Sequence, residues 1–338
     1  MIYSEVIADK NFANSQQLSR MLNAPVAWQL LELALQQNLF DLLLQPCSVM
    51  QIAQHYQFDL EATELWLNAL TSLGLLHKEN QRYCLANDFL PLLNSQAENY
   101  IGQHLLQMAA LRHTSPEQLK ALMHGKAVKQ SMSMDSPEFW QNSLERLRSY
   151  HNIMAPQQLR LLQQLPQWRS MNNVLDVGAG SDVFARLICQ RWPQKNVVVS
   201  DLSGCIQAIK QQSDNIPDNI RLRSGDYNRF DIREKFDLIW CSMNFYYAND
   251  LPTLLQQFSE CLNPGGLLIS IHEGLSNERC QPSEHIIGRF IPALKGNNRS
   301  FNHGEIRSAM QQAGFSMLPQ HTMMSLYGPL VVDIGSIR

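Results

Sequence analysis

Val174-Leu175-Asp176-Val177-Gly178-Ala179-Gly180 decides how the second half of the chain folds. Val174 to Val177 reads as a short strand, and the glycines that close it are followed by Val183, Phe184, Leu187 and Ile188 at helical spacing. Strand, glycine turn and helix together form the context a nucleotide-binding turn requires, because glycine accepts the tight turn and lets the backbone approach a ligand. A Gly-x-Gly pair after a strand is often only a turn, so its meaning depends on the residues downstream.

Short apolar runs at Asn173 to Val177, Val197 to Ser200, Ile220 to Leu222, Phe236 to Cys241 and Leu267 to His272 alternate with helical stretches. That alternation predicts an α/β fold, a doubly wound Rossmann-like parallel sheet covered on both faces. Two further runs, Phe315 to Met324 and Leu326 to Ile337 around Tyr327-Gly328-Pro329, predict an antiparallel C-terminal edge hairpin. Asp201 ends the second strand 21 residues after Gly180, where a carboxylate can accept both ribose hydroxyls, although a helix N-cap explains an Asp there as well. Asp226, in Ser224-Gly225-Asp226-Tyr227, can accept from an adenine amino group or serve as a plain turn residue. A dinucleotide fingerprint needs glycine at 183; Val183 stands there, which disfavours NAD.

Upstream, apolar residues recur at helical spacing from Gln16 to about Leu44, before a turn at Gln45-Pro46. Two short amphipathic segments come next, then a strand, turn and strand over Gly74 to Leu85. Helices closed by a small hairpin predict a mainly helical winged-helix domain over 1–100. Residues 101–169 carry only helical patterns and read as a connector, and 170–338 as the α/β domain.

With 338 residues, 45% hydrophobic, 17% charged and a net charge of −3, the composition is that of a soluble globular protein and favours neither a polyanion nor a membrane as partner. The opening Met1-Ile2-Tyr3-Ser4-Glu5 lacks the features of a signal peptide, and a cytoplasmic location is expected. Seven scattered cysteines without a C-x-x-C pair predict reduced thiols and no metal site.

In this order the motifs resemble class I S-adenosylmethionine-dependent methyltransferases, and within them the two-domain small-molecule O-methyltransferases of plants and bacteria. Leu33 to Leu93 resembles that family's winged-helix dimerisation domain, Leu175 to Phe184 its glycine motif, and Ser200-Asp201-Leu202 its second-strand acid. Gly225-Asp226-Tyr227 resembles its Gly-Asp-aromatic step, and Leu262 to Gly266 its Leu-x-Pro-Gly-Gly turn. Gly296-Asn297-Asn298-Arg299-Ser300, with Phe301 to Phe315, is similar to its G-x-x-R-[ST] loop and the helix beyond it. The resemblance implies S-adenosyl-L-methionine as cofactor, S-adenosyl-L-homocysteine as product, a homodimer, and cofactor contacts at Gly178, Gly180, Asp182, Asp201, Leu202, Gly225, Asp226, Tyr227 and Ser242. It places Trp140, Tyr150, His151, Met154, Met243 and Tyr247 on the acceptor side.

Two positions depart from the family pattern. Asp182 stands where a glycine usually continues the motif; a positive φ there would strain it, and its carboxylate could bind the cofactor's ammonium or repel its carboxylate. The family's general-base His is missing from Cys241 to Asp250, where Asn244 or Tyr246 falls at its position. Glu273 matches the Glu that orients that His, so it could act directly or hold a donor; His272 alternates with it along the strand and reads as structural. Tyr246, Glu273 and Asn244 are therefore the catalytic candidates. A missing base suits a hydroxyl acidic enough to ionise unaided, on a flat aromatic or heteroaromatic secondary metabolite, for example a pyrrole pigment precursor. C- or N-methylation, or a reaction that consumes no methyl group, fits the same loss. A winged-helix regulator is the alternative of another class, but residues 1–100 hold four basic against ten acidic residues, a poor surface for DNA phosphates.

Overall fold

Ser48 shows how local chemistry sets the N-terminal elements: its Oγ accepts the Gln51 N–H at 3.4 Å while Gln51 Oε1 accepts the Ser48 N–H at 2.9 Å. This reciprocal capping box starts a helix just after a two-residue strand. The computed structural model describes residues 10–125, 134, 136–213, 215–229, 233–296 and 298–338. It divides the chain into two units, Met1–Leu106 and Gln107–Arg338. Met1 to Glu5, read for a signal peptide, and Asn297 of the G-x-x-R-[ST] loop lie outside the described residues.

The first unit runs α1 (Lys10–Gln36), α2 (Leu39–Leu42), β1 (Cys47–Ser48), α3 (Val49–Tyr56), α4 (Leu60–Ser72), β2 (Leu76–Glu79), β3 (Arg82–Leu85), α5 (Leu90–Leu93) and the start of α6 (Gly102–Arg112). Asn80 and Gln81 have φ of 48° and 62°, as a tight two-residue hairpin requires. β1, too short for any periodicity to reveal, pairs with β3 and makes the hairpin a three-stranded sheet. Phe40, Leu43, Ile52, Leu67, Leu70 and Tyr83 are buried in one core. On α1, by contrast, Leu18, Met21, Leu22 and Val26 are 54% to 75% exposed and form one apolar stripe at helical spacing.

The second unit opens with α7 (Pro116–Met123) and α8 (Pro137–Gln164). Then come β4 (Asn173–Val177), α9 (Val183–Arg191), β5 (Asn196–Asp201), α10 (Ser203–Gln211), β6 (Ile220–Ser224) and β7 (Phe236–Ser242). The unit closes with α11 (Leu251–Glu260), β8 (Leu262–His272), α12 (Ser283–Leu294), α13 (Glu305–Gln312), β9 (Ser316–Met317), β10 (His321–Ser325) and β11 (Gly328–Ser336). The strands order as β10-β11-β8-β7-β4-β5-β6, with β4 to β8 parallel and β10 and β11 antiparallel at the edge. The α/β reading and its edge hairpin thus stand. Val177 lies between Ser200 of β5 and Cys241 of β7, so the chain order reverses at β4 and a crevice opens at its carboxyl end, where such sheets bind ligands. Two apolar clusters cover the two faces.

One boundary differs from the sequence reading. Pro264-Gly265-Gly266 is not a turn before β8 but part of it, because Gly265 N–H donates to Ile337 O at 2.8 Å and Ile337 N–H to Gly266 O at 3.1 Å. No described helix is long and apolar enough to cross a membrane.

Candidate functional site

The glycine turn at the end of β4 is built by contacts that exclude side chains. Gly178 and Gly180 have φ of 58° and 67°, and a Cβ on Gly178 would lie 2.9 Å from Asn244 Nδ2. Glycine is therefore required twice at Gly178, by conformation and by space. Gly180 N–H donates to Asp201 Oδ2 and Leu202 N–H to Oδ1, both at 2.7 Å. Burial raises the Asp201 pKa, and these bonds offset part of the rise. Each oxygen keeps a lone pair for a ligand hydroxyl, whereas the helix-cap reading of Asp201 is corrected, because Leu202 is the N-cap of α10 and no side chain caps that helix. Asp226 is exposed and turns its Oδ1 to Asn228, while the Tyr227 hydroxyl donates to Asn244 O at 2.6 Å. Gly225 N–H donates to Asp201 O at 2.9 Å, which joins the turns after β5 and β6.

Asp176, absent from the candidates drawn from sequence, lines the cavity at this turn with Gly178, Ala179, His151, Ser242 and Met243. It is buried, and no described cation or hydrogen-bond donor pairs with it. Burial, then the nearby Asp201 charge, push its pKa well up. A buried carboxylate without a partner is costly unless a cation arrives. The signal that could have found it is a charged residue inside an otherwise apolar strand.

Asp182 has the opposite surroundings, and both expectations for it are corrected. Its φ is −93°, so no left-handed strain arises. Its carboxylate is occupied: Arg148 Nε donates to Oδ1 at 3.0 Å, Arg186 Nε to Oδ2, and Ser213 Oγ to Oδ2 at 3.2 Å. Burial favours a raised pKa, yet Arg186 and Arg148 hold the carboxyl below its usual value. Asp182 ties α9 to α8 and to the segment after α10, and it does not line the cavity around Asp176.

At the carboxyl ends of β7 and β8 the catalytic candidates are placed differently from one another. Asn244 is buried, and its Nδ2 donates to Val177 O, wedged against Gly178. That makes it a support of the glycine turn rather than a substitute base. His272 Nε2 accepts the N–H groups of Asn244 and Phe245, each at 3.1 Å, so its proton sits on Nδ1 and goes to Ser270 Oγ at 2.9 Å. Burial pushes its pKa down to about 3, and this neutral imidazole is structural. Glu273 is fully buried; Oε1 accepts from Arg289 Nη1, and Oε2 lacks a hydrogen bond of normal geometry, with weak support from Ser300. Burial raises its pKa, with Arg289 opposing the rise. Glu273 therefore meets Arg289, which sequence reasoning missed because helix spacing alone carries no sign of that contact. Tyr246 packs beside this pair: its hydroxyl donates to Met243 Sδ at 3.4 Å, and the Arg289 guanidinium sits 5.0 Å from its ring centre.

The aromatic candidates separate. Tyr150 and Met154 line the cavity, and burial pushes the Tyr150 phenol up to about 12, too high for a base at neutral pH. His151 Nδ1 pairs with Ser181 Oγ at 2.6 Å, which puts it against the glycine loop rather than on the acceptor side alone. Trp140 does not line the cavity around Asp176: its indole packs on Gly204, and Nε1 donates to Met134 O at 2.6 Å. Tyr247 is 39% exposed beside Arg299, outside the cavity around Asp176.

A profile of the methyltransferase domain family matches residues 143–320, more than half of the chain, and the chain belongs to that family. Among curated proteins it is similar to the malonyl-[acyl-carrier protein] O-methyltransferase of Priestia megaterium, 29% identical over 97 residues, which are 28% of this chain and 35% of that one. The chain spans between 35% and 41% of the length of the first curated relatives it matches. Among solved structures it shares its fold with human N-acetylserotonin methyltransferase in complex with SAM, at TM-score 0.73 and 17% identity, covering 100% of this chain and 99% of that one. An O-methyltransferase family protein from Burkholderia thailandensis matches at TM-score 0.74 and 15% identity, over 98% and 99% of the two chains. The fold is that of two-domain Rossmann-like O-methyltransferases.

Proposed function

We propose that the protein is an S-adenosyl-L-methionine-dependent O-methyltransferase that acts on an acidic hydroxyl of a small aromatic or heteroaromatic metabolite. The observation that carries the cofactor assignment is Asp176, a buried carboxylate with no described partner beside a glycine turn that leaves room for a ligand. The residues fit the cofactor: Asp176 would meet its positively charged methionine end, Asp201 would accept from its ribose hydroxyls and Asp226 from its adenine amino group. When bound, S-adenosylmethionine supplies a methyl group on a positively charged sulfur.

The acceptor assignment rests on the β7–β8 end. Asn244 Nδ2 and His272 Nε2 are committed to backbone contacts, Asn244 Oδ1 is a neutral amide oxygen and no base, and Glu273 Oε1 is paired with Arg289. Among the described residues no proton acceptor is presented there as the family's His would be, and a general base is worth most for a neutral hydroxyl, typically ~10²- to 10⁴-fold. An acceptor that arrives ionised needs only positioning, which supplies the larger share of such a displacement. A cytoplasmic enzyme of secondary metabolism suits cysteines that form no disulfide and a small acidic acceptor. We read the first unit as a winged-helix dimerisation domain, because the exposed stripe of Leu18, Met21, Leu22 and Val26 is best covered by a second copy.

Incubation with methyl-labelled cofactor and hydroxylated aromatics whose pKa values span roughly 6 to 10 tests the assignment. Label in a methyl ether, at rates that track the ionised fraction of the acceptor, is expected. Label on carbon or nitrogen would replace O-methylation, and no transfer to any acceptor would remove the methyltransferase reading.

A further inference from the structure

A second cavity, of about 310 Å³, lies beside the loop after β7, a volume at the lower end of small-molecule sites. Its lining combines the apolar and aromatic residues Phe245, Tyr246, Leu251 and Phe301 with two arginines, Arg279 and Arg299. No described residue lines both this cavity and the one around Asp176, and no acidic residue is among those described for it. Arg148, Arg186, Arg221, Arg289 and Arg307 each pair with a carboxylate, whereas Arg279 and Arg299 pair with none among the described residues. Each is anchored instead by a neutral oxygen: Arg279 Nη1 donates to Asn302 Oδ1 at 3.2 Å and Arg299 Nη1 to Tyr246 O at 2.7 Å. The anchors orient both guanidiniums and leave Nε and Nη2 of each without a described acceptor. Two like charges at one cavity repel each other, and an anion held by both turns that repulsion into attraction.

We propose that this cavity is a binding site for a planar aromatic carboxylate. The carboxylate takes the remaining N–H donors of Arg279 and Arg299, whose planar fork matches it. The ring packs with Tyr246 and Phe301, which already stack on each other with 5.3 Å between ring centres and 28° between planes. A small inorganic anion satisfies the arginines but leaves the apolar lining of Phe245, Leu251 and Phe301 without a partner, so an aromatic acid fits the whole cavity better. The site does not depend on the methyl-transfer reading, which concerns the cavity around Asp176. Tyr246 touches both places: its carbonyl anchors Arg299, and its hydroxyl donates to Met243 Sδ in the lining of that other cavity.

The test is calorimetric titration of the full chain with 2-naphthoate, with neutral 2-naphthamide and inorganic phosphate as comparisons, repeated at saturating S-adenosylhomocysteine. Wild type is expected to bind 2-naphthoate one-to-one, and 2-naphthamide and phosphate at least roughly tenfold more weakly. Arg279→Gln should weaken 2-naphthoate about tenfold, the factor that one hydrogen-bond partner of a charged group supplies, with unchanged circular dichroism and S-adenosylhomocysteine affinity. Arg299→Lys should keep part of the affinity, since its charge survives and its fork does not. Saturation with S-adenosylhomocysteine should leave 2-naphthoate binding within about twofold, as two separate sites require. Failure of wild type to bind 2-naphthoate, equal affinity for 2-naphthamide or phosphate, undiminished binding by Arg279→Gln, or exclusion of 2-naphthoate by S-adenosylhomocysteine would each overturn the proposal. Binding of 2-naphthoate that needs Arg279, in a chain that takes up no S-adenosylhomocysteine, would support this site and overturn only the methyl-transfer reading.

Discussion

The end of β4 and the ends of β7 and β8 are two halves of one crevice built on different principles. At β4 the backbone does most of the work: glycine φ angles, N–H groups on Asp201 and a strand register that sets Val177 between two neighbours. At β7 and β8 the work falls to side chains from distant segments, such as His272 under the Asn244 loop and Arg289 over Tyr246. Within the first region Asp176 and Asp182 repeat the contrast on a smaller scale. Both are buried acids; one has no described partner and the other has two arginines. In the proposed function the unpartnered acid serves a ligand, and the paired one holds the scaffold.

The largest expected effect comes from Gly178→Ala, which adds a methyl against Asn244 at a φ that side chains avoid. S-adenosylhomocysteine affinity should fall roughly a thousandfold, the factor that ~4 kcal/mol produces, measured by calorimetry on a variant whose circular dichroism is unchanged. Asp182→Asn should cost about 3 kcal/mol in urea unfolding, near the low end for breaking a buried ion pair because both arginines reach water. Its sign with pH is defined: a lowered native pKa stabilises above the unfolded value of about 4, and this stability is lost as pH falls through the native pKa. The variant should lack that acid-labile part and still bind S-adenosylhomocysteine below its midpoint.

Asp176→Asn should do the reverse. S-adenosylhomocysteine affinity should drop about thirtyfold, while the ligand-free protein gains about 1 kcal/mol at pH 7 by losing a buried charge whose native pKa is raised. Equal behaviour of the two Asp variants would dissolve the contrast between them. The smallest effect is at His272. With a native pKa of about 3 against an ordinary value near 6.5, the unfolded chain takes up a proton first as pH falls. Stability from this group should decline by about 1.4 kcal/mol per unit below pH 6.5, and His272→Asn should remove that part of the slope in unfolding at pH 5.5 and 7.5.

The same division decides what could be read from the sequence. The β4 region was legible because glycine spacing, strand-end acids and apolar alternation are local patterns, and the sheet and its edge hairpin came with them. Asp176 was overlooked inside an apolar run that otherwise reads as pure core. Asp182 was misassigned because its arginines come from a helix 34 residues upstream and from the next turn of α9, and only folding brings them together. Arg289 reaches Glu273 across 16 residues, and the place of Trp140 against Gly204 depends on how α8 packs on α10, which helical spacing does not encode. β1 escaped notice because two residues cannot establish an alternation.

Calorimetric titration of the full chain with S-adenosylhomocysteine, wild type against Asp176→Asn, tests the central claim most directly. Saturable one-to-one binding by wild type, weakened about thirtyfold in the variant, is the predicted result. Absence of binding to wild type, or equal affinity in the two proteins, would contradict it.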